Sequence, residues 1–167
     1  MKKQLIYSVL TFTFFSIFSL SCKKDHDHAE SPYDLDVVLH GESDKSPHGK
    51  NPSGFIKFRQ DPDPDKIINL DIWVQNLAPN HEYLLQRAVD AINIVDGNCT
   101  STSWLTLGKG LVSQSIQTDK NGKGSELLWR DITAIPTGSK FDIHFQLIDA
   151  ITMVVVLDSD CYQYVVR

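Results

Sequence analysis

The chain has 167 residues, and 21 acidic against 16 basic side chains leave a formal net charge of -5 at pH 7. Its Lys and Arg are scattered, so it lacks the clustered basic face that phosphate binding needs, and nucleic acid is not an expected partner. The length suits one domain, of a size that buries roughly two-thirds of its unfolded surface.

Residues 1–21 read as an export signal: basic Lys2 and Lys3, an apolar run from Leu5 to Leu20, and the small Ser21 before Cys22. The run is interrupted by Ser8, Thr11, Thr13, Ser16 and Ser19, and is shorter than the roughly 20 mostly apolar residues that span a bilayer. A cleaved signal is therefore favoured over a permanent membrane helix. Its removal would take Lys2 and Lys3 with it and deepen the negative charge by two units.

The stretch Ser19-Leu20-Ser21-Cys22 followed by Lys23-Lys24-Asp25 resembles the cleavage region of Bacteroidota lipoproteins, with Ser19 where the strict motif has Leu. The resemblance implies that the Cys22 thiol takes a diacylglycerol and its freed amine a further acyl chain. Two or more chains anchor firmly, where a single one gives only marginal binding. Lys24-Asp25, with Asp27 and Glu30, is similar to the signals that send such lipoproteins to the outer face of the outer membrane. The expected address is thus the outer membrane, the cell surface being favoured over the periplasmic face.

Residues 22–34 read as the acylated cysteine and a charged, flexible tether containing Ser31-Pro32. Within it, Asp25, His26, Asp27 and His28 are weak metal candidates, because a segment without preformed geometry binds poorly and unselectively.

Residues 35–167 alternate short apolar runs with Gly, Pro, Asn and Asp clusters, the signature of an all-β domain. Expected strands are 36–40, 54–59, 67–75, 83–89, 104–107, 111–118, 125–130, 141–148, 153–157 and 162–166. Two of them carry the case. Ile68, Leu70, Ile72 and Val74 alternate with Asn69, Asp71, Trp73 and Gln75, and Phe141, Ile143, Phe145 and Leu147 alternate with Asp142, His144 and Gln146. Each buries one face, as antiparallel sandwich strands do. Residues 120–123, Lys-Asn-Gly-Lys, tolerate positive φ and predict a hairpin; 149–152 is a weaker candidate for another. Asn80 as a helix cap, with Leu84, Ala88, Ile92 and Val95 on one face, is the rival reading of 80–95.

The segment Leu77-Ala78-Pro79-Asn80-His81-Glu82-Tyr83 looks like the Leu-x-Pro-x-x-x-Tyr corner of fibronectin type III domains, with Leu77, Pro79 and Tyr83 as its marker residues. In that corner the tyrosine hydroxyl ties back to nearby backbone. The resemblance implies an immunoglobulin-like Greek-key β-sandwich of about 8–10 antiparallel strands, of different or extended topology, since about three strands precede the corner and six follow.

With Cys22 committed to lipid, Cys99 and Cys161 remain, and in an oxidising compartment they are expected to pair. Trp73, on the polar face of its strand, and Trp104, at the start of another, are candidate contacts for a protein or glycan partner. Coverage by a loop or second sheet is the bland alternative for both. His144 reads as a solvated surface histidine. The even acids Asp61, Asp63 and Asp65, held by Pro62 and Pro64, read as a stiff loop and not a calcium site. No nucleophile elbow, phosphate loop or zinc-protease motif occurs, and no cofactor is expected.

The sequence therefore predicts a lipid-anchored, non-catalytic binding or structural module of the cell envelope. Alternatives are an envelope polysaccharide hydrolase using a carboxylate pair, or weak metal handling by the tether.

Overall fold

A computed structural model describes residues 32–41 and 50–167. The expectations for the signal, Cys22, and Asp25, His26, Asp27 and His28 lie outside the described residues. The end of the segment expected as tether is described, and there Asp34 begins the first strand and the Pro32 carbonyl accepts the Val165 N–H at 3.0 Å.

Period-two burial is plainest in β1 (Asp34–His40) and β3 (Ile67–Gln75), where every second side chain is buried. β2 (Ser53–Gln60) joins them, and β9 (Gly124–Asp131) pairs with the far edge of β3, giving an antiparallel wall in the order β1-β2-β3-β9. A second wall is centred on β10 (Lys140–Asp149), with β4 (Glu82–Val89) along one side. Its other side is shared by β11 (Val155–Ser159) and β12 (Tyr162–Val165), which together form one strand bent at residues 159–161. There the Ser159 hydroxyl accepts the Phe145 N–H at 2.9 Å, replacing a ladder bond.

Between the walls the sheet is nearly closed. On one seam β1 pairs with β11, and Val38 donates its N–H to the Tyr162 hydroxyl at 3.0 Å. On the other, four short strands carry the chain from β4 to β9: β5 (Leu105–Thr106), β6 (Gly108–Lys109), β7 (Val112–Ser113) and β8 (Ser115–Gln117). At one end β8 pairs with β4 and reaches β9 through the 119–123 hairpin turn. Towards the other end β5 pairs with β4, and β6 meets β9 in a single parallel step at Lys109 and Trp129. That step makes an otherwise antiparallel sheet mixed.

The all-β expectation holds, and the strands among the described residues number twelve instead of eight to ten. All twelve belong to one curled, hydrogen-bonded sheet, where the sequence suggested a sandwich. The extra strands come from 104–118, expected as two and broken into four. Gly108 is required there, since a Cβ would sit 1.9 Å from the Val112 carbonyl oxygen. The helical alternative for 80–95 is overturned: Glu82–Val89 is strand β4, paired with β10 from Tyr83 to Val89, and no residue of 80–95 is helical. The turn at 120–123 forms, but its arms share only the Thr118–Gly124 bridge because β8 pairs with β4. The 149–152 hairpin forms between β10 and β11, although Met153 adopts a φ of 59° and delays the start of β11 to Val155.

The inward residues form one core. Phe58 of β2 meets Phe145 of β10 edge-on at 6.2 Å and Tyr164 of β12 at 4.8 Å, joining the walls across the interior. Below them the Tyr164 hydroxyl donates to the buried Gln60 side-chain oxygen, which also accepts the Arg167 N–H at 2.8 Å. Burial pushes the Tyr164 hydroxyl pKa well up, so it stays a donor.

Candidate functional site

The alternation that sends Ile72 and Val74 inward turns Trp73 out, where it is 40% exposed. Register then assembles its surroundings. Val38, Phe55, Trp73 and Ser125 lie in one row across the wall, and Asp36, Lys57, Asp71 and Leu127 in the next. The Phe55 and Trp73 rings are 6.3 Å apart and tilted by 31°, and the Lys57 ammonium stands 5.5 Å from the centre of the Trp73 ring. A cation over an indole face is attracted by the ring quadrupole, which holds the lysine stem down and the ring in place.

Beside Trp73 runs an open groove of about 710 Å³ lined by Ser53, Gln75, Gln117, Asp119 and Ser125. Gln75 donates to Ser53 at 3.1 Å across its floor. Asp119 caps the hairpin turn, accepting the backbone N–H groups of Asn121 and Lys123. The Lys123 N–H is the main reason its pKa lies below the usual carboxylate value, so the rim carries a negative charge at neutral pH. A smaller depression of about 290 Å³ continues along the same face, between Lys57, Asn69, Asp71, Leu127 and Trp129. Trp129 is also 40% exposed, and strand geometry puts it about 14 Å from Trp73.

Trp104 sits differently. Loop 90–104 folds over the outer face of β4 and β10, where the Trp104 ring lies 4.6 Å from that of His144, whose Nε2 is 3.0 Å from the Ser101 carbonyl oxygen. Trp104 and His144 are both partly buried in this contact, so His144 is covered and not solvated. Two acids bind the loop down. Asp90 accepts the N–H groups of Thr100 and Ser101, and Asp142, 1% exposed, accepts those of Asp96 and Gly97. The other Asp142 oxygen is buried with no hydrogen-bond partner among the described residues. Cys99 and Cys161 are joined by a disulfide, which ties the loop to the bend between β11 and β12.

Leu77 is buried and donates its N–H to the Gly122 carbonyl at 3.1 Å, and the buried Tyr83 hydroxyl accepts the Ala78 N–H at 3.1 Å, with Pro79 between them. These residues join the turn before β4 to the 119–123 hairpin. They do not line the Trp73 groove.

Asp90 and Asp96 share a shallow depression with Asn98 and Thr100. Asp90 is held below the usual carboxylate range, chiefly by the Thr100 N–H, which is opposite to the shift a general acid needs. Among the described residues, no group of three or more His, Cys, Asp or Glu side chains is placed to hold a metal ion.

Trp129 was not singled out in the sequence because Leu127, Leu128 and Trp129 are consecutive apolar residues that blur the alternation. Its parity with Ser125, outward opposite Trp73, was the available signal. No protein-family profile matches the chain, and no curated protein or solved structure resembles it at a significant level.

Proposed function

We propose that this chain is a lipid-anchored, exported binding module of the outer membrane, which holds a glycan of the cell envelope on the sheet face around Trp73. The observation that carries the binding reading is the exposed Trp73 ring, braced by Phe55 and Lys57 beside a groove rimmed with Ser, Gln and Asp side chains. An aromatic plane offers apolar contact to a sugar ring while the polar rim offers hydrogen bonds to its hydroxyls. Trp129, further along the face, offers a second plane to a longer chain. What supports the anchor is the sequence from Lys2 to Cys22, and the Cys99–Cys161 bond suits an oxidising compartment outside the cytoplasm.

The same reading takes the two walls as halves of an immunoglobulin-like sandwich whose edges have closed, with the Phe58–Phe145 contact as their meeting point. Binding is tested by titrating envelope oligosaccharides while following tryptophan fluorescence. Trp73→Ala should weaken binding about tenfold or more, with stability changed by less than about 1 kcal/mol because the side chain is surface-exposed. Unaltered affinity in that variant would overturn the assigned face. Mass spectrometry of the mature N-terminus tests the anchor, the expected species beginning at an acylated Cys22.

A further inference from the structure

A second cavity, of about 120 Å³, lies inside the curled sheet and shares no lining residue with the Trp73 groove. It occupies the end of the interior below the β5 and β6 crossing, where β4 and β9 have no ladder between them. Phe58, Leu70, Ile143, Phe145 and Val166 form its apolar wall.

Two charged side chains also line it: Arg87 from β4 and Arg130 from β9. Each follows the inward parity of its strand, two residues beyond the core residues Leu85 and Leu128. Among the described residues, no Asp or Glu lines the cavity. The acid two pairs further up the inner face of β9, Glu126, is paired with Lys109 at 2.9 Å. The Tyr164 hydroxyl, also at the cavity, is spent on Gln60. Arg130 donates to the Gly110 carbonyl at 3.2 Å, and Arg87 makes no side-chain hydrogen bond or ion pair with any described residue. Its pKa is lowered, first by desolvation and then by the charge of Arg130.

Half-burying two like charges at an apolar cavity is costly unless an anion joins them. Guanidinium groups are donor forks suited to a carboxylate. The volume approaches that of an apolar cavity able to hold one benzene, so it admits a tail of about four to six carbons. We propose that this cavity is a binding site for a small amphiphilic carboxylate, a short aliphatic or single-ring acid, with its head between Arg87 and Arg130 and its tail against Phe58, Phe145 and Val166.

The test is titration calorimetry of the purified full-length protein with hexanoate and benzoate, using hexan-1-ol and hexylamine as isosteric controls. Saturable one-site binding of at least one acid is expected, with the alcohol weaker by about tenfold or more and the amine silent. Arg87→Gln should weaken acid binding by about tenfold or more and leave the circular dichroism spectrum unchanged. Arg130→Gln should do the same; if loss of its Gly110 bond unfolds that variant, Arg87→Gln carries the test alone. Trp73→Ala should bind the acid as the unaltered protein does, whatever it does to glycan binding. The proposal is overturned by no saturable binding of either acid at millimolar concentration, by equal affinity for acid and alcohol, by an unchanged Arg87→Gln, or by loss of acid binding in Trp73→Ala.

Discussion

Replacing both Cys99 and Cys161 with serine opens a loop with a sequence separation of 62, which contains every strand from β5 to β11. In the chain-entropy treatment a loop of that length removes about 14 cal/mol/K from the unfolded ensemble, or about 4 kcal/mol at 25 °C. The native state should change little, because Asp90 and Asp142 independently bind loop 90–104 through four backbone N–H groups. The loss is therefore expected in the unfolded chain. Urea unfolding followed by tryptophan fluorescence measures it: with a slope of about 1.5–2 kcal/mol/M, the midpoint should fall by about 2–3 M. The slope should rise slightly, since the opened unfolded chain exposes more surface. A fall below about 0.5 M would refute the loop-closure argument. So would collapse of the near-ultraviolet signal of Trp104 without denaturant, because the bond would then be holding the loop down locally.

Asp149 should give the domain part of its acid sensitivity. Its pKa is held down to about 2, mainly by the Thr152 N–H, with the Ile151 N–H and His81, 2.6 Å away, adding to the effect and burial opposing it. A depressed carboxylate stabilises fully above its unfolded value near 4 and loses that contribution as the pH falls towards 2. Asp149→Asn should therefore flatten stability against pH across that window in urea titrations, and a curve parallel to that of the unaltered protein would refute the assignment. Gly122→Ala should cost about 2–4 kcal/mol in the same assay. Its φ is +70° and the added Cβ would lie 2.1 Å from the Leu77 carbonyl oxygen. Gly97→Ala is the control: with a φ of +81° and nothing within 4 Å, it should cost only about 1–2 kcal/mol. Equal losses would remove the steric argument.

Strand pattern was legible wherever one face is buried and the other wet. β3 could be read residue by residue, whereas in β10 only the inward set was legible, since Asp142 and Gln146, expected on a wet face, are buried on the side that loop 90–104 covers. Residues 120–123 could be read as a turn because their glycine allows the positive φ that the hairpin requires. The cysteine pairing was legible by elimination, given the expected fate of Cys22. The corner of Leu77, Pro79 and Tyr83 was visible as a spacing, but its attachment to Gly122 was not, because those partners are some forty residues apart in the chain.

Period two says which side chains share a face, and does not say what later covers it. That is why Trp73 and Trp104, both candidate contacts in the sequence, part company: among the described residues nothing covers Trp73 on the outer face of the β1-β2-β3-β9 wall, whereas a disulfide-tied loop covers β4 and β10. It is also why Arg87 passed unnoticed. An arginine in a strand reads as solvated, and only the curling of the sheet turns its side of β4 towards an apolar cavity and brings Arg130 to the same place. Local order came from backbone sterics and alternation, which are written in adjacent residues. Enclosure came from non-local pairing across the two seams, a property of the whole sheet that no short stretch of the chain encodes.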